Sequence, residues 1–236
     1  MLTTALLAER TATWPVTTRH APRPAGRSLN DCFAIAPVRQ LKAKEPLFME
    51  GDAKSDVYKI EIGAVVMYKI LSDGQRQVLG FAFPGDFIGL ESASVHACDA
   101  ETIGVTRVRC IPTAMLRRRA NEDSTVAAEL YEILSKAFSQ SQSHFLTIGR
   151  LGANGRIATL LLALAKRNEH NSLDPNTIQL PMRRSDMADF LCLTVETVSR
   201  SLTELKKAKT ISLSGFRHVK LLDRDALEDL ACGEVA

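Results

Sequence analysis

No stretch of this chain is apolar enough over a long enough span to cross a bilayer. The longest strongly apolar run, 157–165, falls far short of the roughly 20 residues that a spanning helix needs. Residues 3–8 are weakly apolar, but no basic segment and long apolar core lead to a cleavage site there, so export is not expected. Cysteine is sparse and unpaired in pattern: Cys32, Cys98, Cys110, Cys192 and Cys232 are scattered and odd in number. That excludes a disulfide framework and fits reduced thiols in the cytoplasm. No CxxC spacing occurs and the histidines are dispersed, which leaves a zinc site without support. A phosphate-binding glycine loop and a nucleophile motif are missing too. An enzyme built on a cupin-like roll would need clustered His and carboxylate ligands, yet the β-rich part has one histidine, His96. No enzyme activity, metal or cofactor is expected.

The organisation that is present suits two modest domains in 236 residues. Residues 1–28 carry Thr, Ala, Pro and Arg without sustained periodicity and read as a mobile arm. From Pro46 to Ile111 the texture is of short β-type runs broken by Ser72-Asp73-Gly74 and Pro84-Gly85-Asp86, which predicts an antiparallel β-roll within 29–123. Pro112-Thr113 reads as a helix entry capped by the threonine hydroxyl. A long helix follows over 124–151, because no proline interrupts it and its one glycine, Gly149, comes near the end. Leu130, Leu134, Ala137, Ser141, His144, Ile148 and Leu151 recur there at alternating spacings of four and three, a heptad seam with a polar middle. Two partners suit such a seam: a symmetry mate, making a homodimer, or the chain's own roll.

Residues 152–236 read as helix, helix, turn, helix and hairpin, the order of a winged helix-turn-helix. The fold class is therefore α+β. Met187 and Leu191 place an apolar face on one helix, with Ala188 small at the crossing, and Val198, Leu202 and Leu205 do so on the next. That pattern turns Val195, Glu196, Ser199 and Arg200 outward near the second helix's N-terminal end, the place that enters a major groove. Arg200 suits guanine O6 and N7, Glu196 suits cytosine N4, Ser199 bonds to several base edges, and Val195 suits a thymine methyl. The plainer alternative is that Glu196 and Arg200 bridge each other on a solvated helix. Net charge is only +3, but Arg183, Arg184, Arg200, Lys206, Lys207, Lys209, Arg217 and Lys220 crowd this segment against fewer acids. A locally basic strip fits double-stranded DNA as the partner.

The run RSDMADFLCLTVETVSR over 184–200 resembles the recognition motif of the CRP/FNR regulators. Its E-x-x-S-R after Val195 is similar to the FNR and FixK branch rather than the cyclic-AMP receptor branch. Gly51-Asp52, Gly63 and Pro84-Gly85-Asp86-Phe87-Ile88-Gly89 carry the resemblance into the roll. It implies a homodimeric regulator, with activation expected, that reads a TTGAT-N4-ATCAA-like palindrome and works with RNA polymerase in an oxygen-limitation cascade. It also implies that Arg184 and Ser185 hold phosphates, which fixes register without specifying sequence. The Ser72-Asp73-Gly74 tip is a candidate polymerase contact, with a plain turn as its alternative.

Departures from the family pattern bear on what is sensed. Where cyclic-nucleotide members place an Arg-Ser pair, this chain reads Cys98-Asp99-Ala100-Glu101-Thr102, whose carboxylates would repel a phosphate. Oxygen-sensing members hold an iron–sulfur cluster on four cysteines. Here the N-terminal part has only Cys32, and Cys110 is one residue off the roll position, which falls at Arg109. A FixK-like regulator without its own effector is expected, and the alternative is a ligand-gated one with haem on His96 or Cys98. Cys192 stands where the family usually has a turn glycine, and is either a tolerated small residue or an oxidation-sensitive brake on DNA binding.

Overall fold

Gly63 shows why the β-rich half closes into a roll. Its φ is +89°, and a side chain there would fall within 3 Å of Thr106 and of the Val105 carbonyl. Only glycine lets the chain reverse so close to a neighbouring strand. The computed structural model describes residues 28–91, 94–171, 173–215 and 217–233. Residues 1–27, the bulk of the arm expected above, lie outside them, while Ser28 already belongs to the cap of the first helix.

That helix, α1 (Leu29–Ala34), is followed by β1 (Val38–Leu41), β2 (Pro46–Phe48), β3 (Asp56–Ile62), β4 (Val65–Ile70), β5 (Arg76–Ala82), β6 (Phe87–Ile88), β7 (Asp99–Thr102) and β8 (Thr106–Pro112). The strands form two antiparallel sheets of order β1-β8-β3-β6 and β2-β7-β4-β5. Leu41, Phe48, Tyr58, Ile60, Val65 and Val108 fill the space between them. Alternation along β8 (Thr106 and Val108 inward, Arg107 outward) follows from the two-residue period of a strand.

Thr113 opens α2 (Thr113–Glu122), but the expected threonine cap does not form. Pro112 occupies the N-cap position, and the buried Thr113 hydroxyl has no hydrogen-bond partner. The long helix α3 (Ser124–Arg150) starts where Asp123 accepts the Thr125 N–H at 2.8 Å. Ser139, Ser143 and Thr147 each bond the carbonyl four residues back, so this polar line of the helix is satisfied internally. At 1.5 Å per residue α3 is roughly 40 Å long, and α1, α2 and the first turns of α3 share a small core of Leu29, Phe33, Ile111, Leu116 and Val126.

The C-terminal half comprises α4 (Ala153–His170), β9 (Thr177–Gln179), α5 (Arg184–Leu191), α6 (Val195–Lys207), β10 (Ile211–Ser214), β11 (His218–Leu221) and α7 (Arg224–Cys232). β11 pairs with both β10 and β9, so the wing has a third strand that the sequence pattern did not reveal. One apolar core joins Ile157, Leu161 and Leu164 of α4 to Met187, Ala188 and Leu191 of α5 and to Val198, Leu202 and Leu205 of α6. Fully burying a side chain of this size contributes about 1.5–3 kcal/mol. Gly155 admits the Leu230 carbonyl of α7, which a side chain at that position would meet at 2.6 Å. No helix of the described residues is long and apolar enough to cross a membrane.

Candidate nucleic-acid interface

Two short helices meeting at a tight turn need a residue that accepts a left-handed backbone. Cys192 supplies it, with φ 52° and ψ 50° as the C-cap of α5. Arg156 of α4 braces the junction by donating to the carbonyls of Leu191 and Cys192 on one side and of Ile148 and Leu151 on the other. Thr194 then caps α6, accepting the Thr197 N–H at 3.1 Å. The α5 cap is the Asp186 carboxylate, which accepts the Arg183 N–H at 2.9 Å.

Below this frame the apolar residues of both helices are buried, and the opposite face of α6 is open. Val195 is 42% exposed, and Glu196, Ser199 and Arg200 are all exposed with it on the first two turns. Glu196 and Arg200 are not in salt-bridge contact, though the Arg200 charge helps to lower the Glu196 carboxyl, and no side-chain hydrogen bond among the described residues holds the Arg200 guanidinium. A mutual surface bridge is therefore not what these two residues make. Glu196's own backbone N–H and the Thr194 hydroxyl hold its carboxyl below the usual range, so it is an ionised acceptor. Ser199 bonds back to the Val195 carbonyl at 2.8 Å, leaving its oxygen free to accept. The cationic Lys206 and Lys207 lie at the far end, where they complement the helix dipole.

Arg184 and Ser185 sit at the start of α5. Ser185 is exposed, whereas Arg184 is half-buried with Nη1 3.5 Å from the Met187 sulfur, and burial pushes its guanidinium down from the ordinary value. Of the heptad series on α3, Leu134, Ala137 and Ser141 are exposed and the ends are occupied within the chain. Leu130 packs beside the core under α2, His144 stacks on Phe190 at 4.0 Å, and Leu151 lies against Gly155 and Gly233. Ile148 is half-buried at the Arg156 brace. The outward apolar stripe runs instead through Tyr131, Leu134, Phe138, Phe145 and Leu146, a feature the sequence pattern concealed behind a second apolar line one residue away.

Among the described residues the roll shows no cradle for a cyclic phosphate. Its 98–102 stretch is β7, where Asp99 accepts the Glu50 N–H and Thr102 is spent on the 42–45 loop. No cation of the Arg-Ser kind stands there, so the residues do not fit the ligand. His96 is 3% exposed and lies flat on Phe48 at 3.6 Å, and burial raises the Cys98 thiol to about 11. Both side chains are buried in the roll. Arg109 faces Glu61 and the Ala34 and Ala36 carbonyls, and Cys110 turns to the other side of β8, half-buried against the roll core. Among the described residues no group of three or more His, Cys, Asp or Glu could hold a metal ion.

The comparisons with known proteins agree with this architecture. The model for a Crp-like helix-turn-helix domain matches residues 155–230, and the model for a cyclic nucleotide-binding domain matches residues 38–123. The nitrogen fixation regulation protein FixK of Azorhizobium caulinodans is 37% identical over 78% of this chain and 75% of its own length. The transcriptional activatory protein AadR of Rhodopseudomonas palustris is 35% identical over 80% of this chain and 78% of its own. Among solved structures, FixK2 from Bradyrhizobium japonicum superposes with a TM-score of 0.78 at 36% identity, covering 83% of this chain and 97% of that one. These relatives are regulators rather than enzymes, and the shared helix-turn-helix makes DNA the partner. The chain belongs to the CRP/FNR family of DNA-binding transcription regulators, and within that family it is FixK-like.

Proposed function

We propose that this cytoplasmic protein is a transcription activator that binds a palindromic operator of the TTGAT-N4-ATCAA kind as a homodimer, without an effector of its own. One observation carries the reading: Val195, Glu196, Ser199 and Arg200 stand exposed together on the first two turns of α6, with no ion pair to Arg200 among the described residues. In this reading the exposed stripe of α3 (Tyr131, Leu134, Phe138, Phe145) meets its copy across a twofold axis. The axis presents two α6 helices to successive major grooves, about 34 Å apart. Arg184 and Ser185 hold the backbone at each half-site, with Arg184 swinging out from beside Met187 to do so. The names of the relatives, nitrogen fixation regulators and transcriptional activators, support the activator reading, and on that reading the protein works with RNA polymerase in an oxygen-limitation cascade.

The test is fluorescence anisotropy on the palindrome and on a scrambled duplex, with and without cyclic AMP and under air or reductant. Ligand-free protein should prefer the palindrome by about a thousandfold or more. Equal affinity for both duplexes, or a strict requirement for cyclic AMP, would contradict the reading.

A further inference from the structure

The helix-turn-helix is fastened to the roll, and the fastening is made by α5 rather than by the reading helix. Arg76 opens β5 and donates Nη1 to Asp186 Oδ1 at 2.7 Å and to Asp189 Oδ2 at 3.1 Å. Its guanidinium carbon also lies 4.3 Å from the ring centre of Tyr68 on β4. Next in the chain, Gln77 donates Nε2 to the Asp189 carbonyl at 2.6 Å, and its Oε1 is 3.7 Å from the Cys192 sulfur. Phe81 meets Phe190 edge-on at 5.3 Å, and Arg167 of α4 reaches Asp86 and the Pro84 carbonyl.

The chemistry of this contact is specific. Asp186 and Asp189 lie three apart and share one face of α5, so their carboxylates repel each other unless a cation stands between them. Arg76 is that cation. The pair is partly dehydrated, with side-chain exposures of 27% for Arg76 and 12% for Asp186, which strengthens a charge-assisted hydrogen bond. Asp186 also caps α5 through its other oxygen, so the hairpin grips the helix at its N-terminal end. None of Val195, Glu196, Ser199 and Arg200 takes part, and the docked state leaves them uncovered.

We propose that Arg76 is a positioning residue for DNA binding, which locks the helix-turn-helix on the roll so that a dimer presents its two reading helices at a fixed separation. The inference rests on the dimeric, palindrome-binding reading above. After one half-site is bound, the second is engaged at an effective concentration set by how tightly the second head is held. A preorganised head avoids the ordering cost at that step. A lone half-site needs no such lock.

The experiment compares full-length wild type, Arg76→Ala, Asp189→Ala and the double variant by anisotropy. The duplexes are the palindrome, palindromes with a spacer one base pair longer or shorter, and a single half-site. Arg76→Ala should bind the palindrome about tenfold more weakly. It should discriminate less between spacers and keep wild-type affinity for the half-site. Asp189→Ala should shift binding in the same direction, with the double variant no worse than the weaker single one. Should Arg76→Ala fail to fold, Asp189→Ala carries the same test alone. Unchanged or tighter palindrome binding, or an equal loss on the half-site, overturns the lock while leaving the dimer reading intact. If wild type shows no preference for palindrome over half-site, the dimer reading falls and the lock with it.

Discussion

At Cys192 a side chain occupies a backbone conformation that L-residues avoid, since φ there is +52°. The penalty for a non-glycine residue in this region is on the order of 1 kcal/mol, so Cys192→Gly should raise unfolding stability by about that amount in denaturant titrations. A destabilised variant would mean that the thiol contact with Gln77 outweighs the strain. The same exposed sulfur beside the reading helix is the position where oxidation would be felt. Peroxide should weaken DNA binding by wild type and spare Cys192→Ala; equal losses would remove the thiol from regulation. The four outward residues of α6 were legible in the sequence because an apolar face restricts which positions point to solvent, whereas the αL turn at Cys192 was expected only from the family resemblance. The role of Arg156 was not legible. Its four carbonyl acceptors come from the ends of two helices brought together by the fold, and spacing along the chain carries no trace of them.

At the scale of elements, α3 illustrates what periodicity tells and what it hides. Its length was evident from uninterrupted helix-forming residues, yet the helix carries two apolar lines. One, with Val126 and Leu130, packs against α1 and α2, and the other, with Tyr131, Phe138 and Phe145, faces outward. A one-residue offset separates them, and only the packing of α1 on α3 decides which line is spent within the chain. α1 and β9 are too short to stand out from loop texture. α7 had a signal in Asp223 capping Ala226 ahead of Leu227 and Leu230, but it lay hidden behind the wing. Phe138→Asp should raise the dimer dissociation constant by about a hundredfold, because the buried charge appears twice across the axis. Sedimentation would show monomer, while the melting of the monomer fold should be unchanged because Phe138 is 65% exposed in a single chain. A Phe138→Asp protein that remains dimeric would move the interface elsewhere.

His144 belongs to the junction between elements, stacked on Phe190 where α3 meets α5. Burial lowers its pKa from 6.5, so the folded state favours the neutral ring. The stability it contributes is therefore complete above pH 6.5 and declines as the pH falls through the lower, folded value. Unfolding midpoints in denaturant should drop between pH 7 and pH 5. His144→Phe keeps the stack and should flatten part of that slope, the share from His96 persisting, since burial lowers that group too. An unaltered slope in His144→Phe would show that the ring does not sense pH.

In the whole molecule, side chains of the roll, the long helix and the winged domain hold one another in place. The roll matches the cyclic nucleotide-binding domain model over residues 38–123, but its interior is packed with Leu41, Phe48, Tyr58, Ile60 and Val108, and the 98–102 stretch is an ordinary strand. Arg76 and Arg156 join roll, long helix and reading head through charged hydrogen bonds. The β-roll and the winged domain were legible because turn chemistry and apolar alternation are local properties. Their mutual docking was not, since Arg76 and Asp186 are 110 residues apart and neither forms part of a motif.

The most direct measurement is a set of anisotropy titrations of wild type and Arg200→Ala against palindromes in which each base pair is changed in turn. Arg200→Ala should lose about 1–3 kcal/mol per half-site and cease to discriminate at one base pair of each half-site, keeping its preferences elsewhere. A uniform loss on every sequence would place Arg200 on the phosphate backbone and contradict base reading by α6.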